Sequence, residues 1–516
     1  MHLFGIYYKC LRAIVPLLAF AVFSVDSHAA GRGEFELRVV DDDTNQPVAV
    51  RMHLQDHKGR NRRPQDAVRF ADHFCFYHKV LFELPPGPYT FTIERGPEYY
   101  VQTGSFEIQQ GATDQQIIRM KRFVDMKGEG WWSGDLHVMR PLRHLELLMA
   151  AEDLHMAAVF LKNQTPENVS TDKTWPNSAI ERFAGNRWYD QRTLHDYREA
   201  GGLSLLRLDH PIPHQPTDSE YPPSARLLIQ AQKHNTAHVE ITYPESWDTP
   251  MWMASRTVDS IGLATSRLGR TGPLGPAHWG KPRNRTRYPD PRGTARWSEH
   301  IYYKLLNCGL RLPPSAASGS GMVTNPIGYN RMYVHVDGPC SEAAWWEAFR
   351  AGRVTVTNGP LLRVAIDGHP PGHVFVAEAG DTVRLNIDLK LATRDSGDYL
   401  EIVRNGEVDH TVRLDEYAAA GGKLPEMAFE TSGWVLVRMV ADNSETYRFG
   451  STGPYYVEIG EEPYISRSAA QFFLDWVHER ARRIQHDHSE QKKKIIRYHR
   501  AARDYWQRLV DESTAP

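Results

Sequence analysis

The chain reads as a multidomain α/β plus all-β protein, with a central βα region between two small β-sandwiches and a helical tail. Three observations predict this. From Glu34 to about Arg122, and again from Leu361 to about Pro463, short segments alternate apolar and polar side chains, the period of a strand. From Val124 to about Asn358, apolar runs of helical spacing lead into strand-like bursts, the pattern of βα repeats around a parallel sheet or barrel. Beyond Phe472 the apolar residues fall on two helical stripes.

Residues 1–29 read as a secretory signal peptide. Lys9 and Arg12 precede the apolar run Ala13 to Val25, and Ser27-His28-Ala29 offers small residues for cleavage. The run is shorter than the roughly 20 residues that span a bilayer. The expectation is an exported protein, periplasmic or extracellular, with no stable membrane insertion after cleavage; a retained anchor is the alternative. What remains suits about three domains at ~150 residues each.

Segment 30–123 forms the first sandwich: FELRVV, a turn cluster at Asp42 to Pro47, VAVRMHL, the turn Pro85 to Pro88, and YTFTIE. Its order of strand, Pro-containing turn, strand and PGPYTFTIERGPEY resembles transthyretin-like or carboxypeptidase-regulatory-like modules, which implies a structural or binding accessory. Segment 124–358 is the βα region, where Leu145, Leu148, Met149, Leu154 and Met156 fit a helix leading into the strand AAVFL. Its loop from Thr271 to Trp297 is long enough to be a lid or disordered. Segment 359–463 is the second sandwich. In the tail, 464–516, one stripe runs through Phe473, Trp476 and Ile484 and another through Ile495, Ala502 and Trp506, with a break near His486 to Ser489.

Net charge is −2, so no field across the chain selects nucleic acid or anionic lipid. Cys75, Cys308 and Cys340 remain after cleavage. Export permits a Cys308–Cys340 disulfide, while three buried thiols are the simpler expectation for a chain that builds its own core. Nothing in the sequence sets an oligomeric state.

The chemistry centres on WWSGDLHVMRPLRH, Trp131 to His144. A His-x-His pair at a strand end places two imidazoles on one face to chelate an ion. Here Met139 takes the second place, and a thioether suits hard divalent ions poorly. Candidate ligands are His137, His210, Glu199 and Glu240, with Asp135 beside the first. The alternative is a hydrogen-bonded core histidine with Met139 filling the interior. Glu240, in HVEIT, is either a strand-end ligand or a solvent-facing edge residue.

Three segments, WxGDLHV at Trp132 to Val138, AAVFLKN at Ala157 to Asn163, and RAGRVTVTNGP at Arg350 to Pro360, together resemble the CehA/McbA, carbaryl-hydrolase type of metallohydrolase, within the PHP superfamily. The resemblance covers roughly Gly128 to Pro360 and the sandwich behind it. It implies a distorted seven-stranded βα barrel with two or three metal ions that activate water for ester, carbamate or phosphoester hydrolysis. The departures reduce that set. Thr-Asp-His-Asn becomes Phe160-Leu161-Lys162-Asn163, and Gly-Ser-Asp-x-His becomes Ala317-Ser318-Gly319-Ser320-Gly321.

The reduced site expected is one divalent ion, zinc, manganese or iron, held by His137 with Glu240 or His210. Asp135 or Glu199 then acts as general base, and Lys162 or Arg267 steadies the developing anion. Trp247, Asp248, Trp252 and Asn163 are placed against substrate. Glu240 with Asp248 or Glu245 also suits an acid/base pair in a carbohydrate groove, although Trp-rich loops are more often core and rim packing than sugar platforms. Ser315 and Ser320 have no G-x-S-x-G context. Two functions stand open: an exported hydrolase with a reduced site, acting on a small molecule or glycan, and a catalytically silent protein that binds a glycan or anionic ligand.

Overall fold

The computed structural model of the protein describes residues 31–65, 67–70, 72–160, 180–214, 216–274, 280–397 and 399–516. The signal-peptide assignment, Lys162 and Asn163 fall outside them.

The first sandwich follows its alternation. Gly33–Asp41 pairs antiparallel with Lys79–Leu84 and parallel with Thr113–Met120. The second sheet has Val68–Arg69, Phe74–Tyr77, Ala49–Asp56, Gly87–Glu94 and Gln102–Ile108 in that order. Leu37 and Val39 of one sheet share a core with Met52, Leu54, Phe91 and Ile93 of the other. The unit docks on the helix Leu142–Ala151, where Ala49 and Cys75 join Leu145, Leu148 and Met149. Arg51 Nε donates to Glu152 across this seam at 2.7 Å.

The central region holds three βα units with parallel strands. Helix Leu142–Ala151 links Trp131–Val138 to the parallel Met156–Val159. Thr249–Ala254 links His238–Ile241 to Ser260–Ala264, and Gly293–Leu306 carries on to Pro314–Ala316, all parallel. These strands lie in two sheets. The smaller runs Leu194–Arg198, Gly201–Leu206, His238–Ile241, Ser260–Ala264, Pro314–Ala316. The larger has 12 strands and carries Trp131–Val138 beside Arg331–His335. It continues from Val354–Thr357 into Phe449–Thr452 and the strands of the second sandwich. The two sheets adjoin where Val138 bridges Ser320 and Met139 N donates to Ser320 O at 2.8 Å. No closed barrel forms among the described residues; what stands is a mixed α/β arrangement of several sheets with a helical tail.

The motif residues that carry no chemistry have steric roles. A Cβ on Gly134 would lie 2.5 Å from the Trp345 ring, whose Nε1 donates to Trp132 O at 3.1 Å. In the RAGRVTVTNGP segment, Asn358 donates to Tyr447 O and accepts from Phe449 N, both at 2.9 Å, fixing the crossing into the second sandwich. Gly321, at φ +101°, lets the chain pass Met139 O, where a Cβ would sit 2.0 Å away.

The tail forms helices Arg467–Arg483 and Ser489–Asp511, broken where expected. Phe473 stacks on Trp506 at 4.7 Å, and Trp506 Nε1 donates to Pro250 O at 2.8 Å. Arg480 is buried and donates to Asp248 at 2.8 Å and to both Glu220 oxygens at 2.8 and 2.5 Å. The three cysteines are free, Cys75 and Cys308 buried and Cys340 partly so; the disulfide alternative does not form. No helix among the described residues is long and apolar enough to cross a membrane.

Arg480→Ala leaves Asp248 and Glu220 buried without their cation, a loss of about 3–5 kcal/mol. Thermal unfolding should show a clearly lowered midpoint for the variant; an unchanged midpoint contradicts the assigned role of this pairing.

Candidate functional site

Asp135 lies at 0% exposure, but it is not free to act as a base. Its Oδ1 accepts from His137 N at 3.1 Å and Ser318 N at 2.9 Å, and its Oδ2 accepts from Ser318 Oγ at 2.5 Å and Gly328 N at 2.8 Å. Burial raises its carboxyl, while these four donors favour the charged form. The expectation of a base here is corrected: all of its acceptor directions are in structural use.

His137 is also fully buried, and neither ring nitrogen has a hydrogen-bond partner. Burial holds it down to about 4, so the ring is neutral at pH 7. Its ring meets Phe160 at 4.7 Å and His195 at 4.6 Å, both edge-on. His195 Nε2 is likewise without a partner, and burial beside His137 pushes this ring well below its ordinary value. His195 and Tyr197 stand two apart on the strand Leu194–Arg198, so both leave the same face, and their rings lie 3.8 Å apart. The Tyr197 hydroxyl bonds that of Tyr243, which bonds Ser266 Oγ at 2.6 Å.

Glu240, on His238–Ile241, is fully buried rather than at a solvent-facing edge. Its Oε1 accepts from Ser315 Oγ, and its Oε2 has no partner. Burial raises the carboxyl to about 7, opposed by the Ser315 hydrogen bond and helped by the charge of Asp135. Buried polar atoms without partners are rare in folded proteins. Here four of them, on His137, His195 and Glu240, occupy one interior.

The other expected residues separate. Arg267 Nε pairs with Glu245 at 2.9 Å, and its guanidinium lies 5.2 Å over the Tyr243 ring. Trp247 lines a cavity of about 340 Å³ together with Arg267, Lys281, Trp297 and Arg483, the last lying 4.3 Å over its ring. Gly280 to Arg283, from the long loop, line the same cavity, while 275–279 fall outside the described residues. Asp248 is instead held by Arg480, and Trp252 lies at 0% exposure with its Nε1 on Ser224 Oγ at 2.9 Å; both are structural. His210 is exposed and stacks on His234 at 3.9 Å, because Asp209 and His210 turn outward after Gly201–Leu206. Glu199 sits in the turn after Leu194–Arg198, and its charge is felt at Glu220.

A divalent ion was expected at His137. The donor types there suit one, two neutral imidazoles and a carboxylate, but their spacing does not. Among the described residues, the group of three His, Cys, Asp or Glu side chains with ligand atoms within 4.8 Å of one another is His53, Asp72 and His73 in the first sandwich. That cluster could hold a metal ion. Against it, Arg270 pairs with Asp72, and both Arg51 and Arg270 lower His53, adding to the larger effect of burial. Sequence reading missed this cluster and His195. The His-x-Tyr spacing in LHDYR was the signal available for the second.

No family model matches the chain, and no curated protein matches it. Among solved structures, the Bacillus anthracis TIE protein matches a short segment, 22% identical over 21% of this chain and 19% of that one, with a TM-score of 0.14. A likeness this slight carries no argument. Fold and site define a class: a mixed α/β chain of several sheets with a buried His/Glu/Tyr cluster.

The pH dependence of stability follows from Glu240. In the unfolded chain it titrates near 4.5, so between about pH 4.5 and 7 the folded protein keeps a proton that the unfolded chain has lost. Its stabilising contribution is complete below about pH 4.5 and is lost as pH rises through about 7, roughly 3 kcal/mol in all. Glu240→Gln cannot titrate, so its denaturation midpoint should climb relative to wild type between pH 5 and pH 8. Parallel curves for the two proteins contradict the assignment.

Proposed function

We propose that the chain is an exported PHP-type hydrolase, similar to the CehA/McbA enzymes, that cleaves an ester, carbamate or phosphoester bond of a small molecule with a reduced site. Glu240 carries this reading: a fully buried carboxyl poised at about 7, with one oxygen unpartnered, two strands across the sheet from the unprotonated His195. Groups perturbed in this way concentrate at functional sites.

The deprotonated Glu240 takes a proton from water as the water oxygen bonds to the carbonyl carbon or phosphorus. The protonated Glu240 then returns that proton to the leaving oxygen as its bond breaks. The Tyr197 and Tyr243 hydroxyls, with Arg267 over the Tyr243 ring, meet the developing oxyanion. The cavity between Trp247 and Trp297 takes the body of the substrate, and Lys281 and Arg483 on its wall favour an anionic one. His137, His195 and Glu240 do not gather as a three-ligand set, so the role given to Glu240 is proton transfer.

A second reading is a catalytically silent protein that binds a glycan or anionic ligand in the same cavity. The pairing of Arg267 with Glu245 favours it, since a committed cation is less available to an oxyanion.

Against a panel of p-nitrophenyl esters, carbamates and phosphodiesters, turnover by the full chain should rise with pH through an apparent pKa of about 7. Glu240→Gln should lower it by about a hundredfold or more. A flat pH profile, or full activity in the variant, contradicts the role of Glu240. Saturable binding of an anionic glycan with no turnover of any substrate selects the second reading.

A further inference from the structure

A separate cavity of about 190 Å³ opens where the first sandwich, the central region and the second sandwich meet. Five arginines line it: Arg51 from the first, Arg270 and Arg331 from the centre, Arg394 and Arg448 from the last. Glu94 and Glu152 share the lining. Behind it, Asp72 pairs with Arg270 and Asp395 with Arg448. Five guanidiniums against four carboxylates leave one positive charge in excess, and that excess falls where the pairing is weakest. Arg394 reaches Glu94 at only 3.8 Å and otherwise donates to Tyr99 O at 3.3 Å, while Arg331 is held by the backbone carbonyls of Gly328 and Glu152 at 2.5 and 3.0 Å and lies 4.0 Å from the Glu152 carboxylate.

Two donors here have no partner. Arg331 is 1% exposed, and its Nη1 makes no hydrogen bond. Arg270 Nε is also unpartnered. Gly96 keeps the wall open, since a Cβ at its position would lie 2.3 Å from Glu152 O and 3.5 Å from Arg331 Nη1. A buried guanidinium N–H with no acceptor costs the free energy of its lost water, about 1–3 kcal/mol or more for a charged group. The planar fork of arginine matches the oxygens of a phosphate group.

We infer that this junction is a binding site for a phosphate group, either inorganic phosphate or the phosphate of a small monoester, and that the ligand ties the three units together. The ligand supplies the missing negative charge and accepts from Arg331 Nη1 and Arg270 Nε. The inference does not depend on the hydrolase reading, because no residue placed in that chemistry lines this cavity. Arg394 is the least committed of the five. Its guanidinium is lowered by burial and, against the pull of Glu94, by Arg448 and Arg51, so an anion relieves it most.

The test is calorimetric titration and thermal unfolding of the full chain in chloride buffer at fixed ionic strength, with sodium phosphate in one arm and glycerol 3-phosphate in the other. One equivalent should bind saturably and raise the unfolding midpoint. Arg394→Gln should weaken binding about tenfold or more and remove the phosphate-dependent rise, with a midpoint in chloride equal to or above that of wild type. Arg331→Met should also lose binding, at some cost in stability. Binding in both arms, or in the phosphate arm alone, identifies the free anion as sufficient. Binding of glycerol 3-phosphate alone identifies a phosphomonoester. Absence of saturable binding in both arms, or unchanged affinity in Arg394→Gln, overturns the inference.

Discussion

The buried carboxylate of Asp135 is the constraint on which the rest of the interior depends. An isolated carboxylate removed from water is strongly disfavoured, and this one is tolerated because four donors from three separate segments converge on it. Those donors fix the strand end that carries His137, the Ser318–Ser320 turn through which the two central sheets adjoin, and Gly328, whose carbonyl in turn accepts from Arg331. One side chain thus sets the geometry of the His137 interior and of one wall of the arginine-lined junction. A motif residue that looks catalytic in the sequence serves here as the knot of the architecture.

Around that knot the charges are sorted by place. At pH 7 burial keeps the imidazoles of His137 and His195 deprotonated and holds Glu240 near the middle of its titration. The cations lie outside it. Arg267 is balanced by Glu245, Lys281 by Glu479 and Arg480 by Asp248 and Glu220. An interior with little fixed charge, beside a cavity lined by more cations than carboxylates, suits chemistry or binding in which the ligand brings the negative charge. It does not suit the dense carboxylate and imidazole set of a multinuclear metal centre.

What could be read from the sequence followed local periodicity. The sandwich strands, the two tail helices with their break, and the βα order around Leu142–Ala151 all obey period two or 3.6, so nearest neighbours in the chain specify them. Long-range partners were not legible. Arg480 meets Asp248 across 232 positions, and nothing near either residue marks the other. For that reason Asp248 read as a groove residue and proved structural, as did Trp252. His210 read as a ligand by its residue type, yet it turns outward after Gly201–Leu206 to stack on His234. The continuity of the 12-stranded sheet from Val354–Thr357 into Phe449–Thr452 was hidden too, since these strands lie far apart in the chain and local alternation names no partner. His195 was within reach: its spacing from Tyr197 is the same-face spacing already applied to His137 and Met139.

The most direct test of the account is the titration of Glu240 itself. Carbon-13 NMR of the full chain labelled at glutamate δ carbons, with Glu240→Gln to assign the resonance, follows this carboxyl through pH. The account predicts a midpoint near 7, set by burial and by the neighbouring charge of Asp135. A midpoint near the ordinary 4.5 would mean that water reaches the carboxylate freely, and the buried proton-transfer site at the centre of this description would not exist.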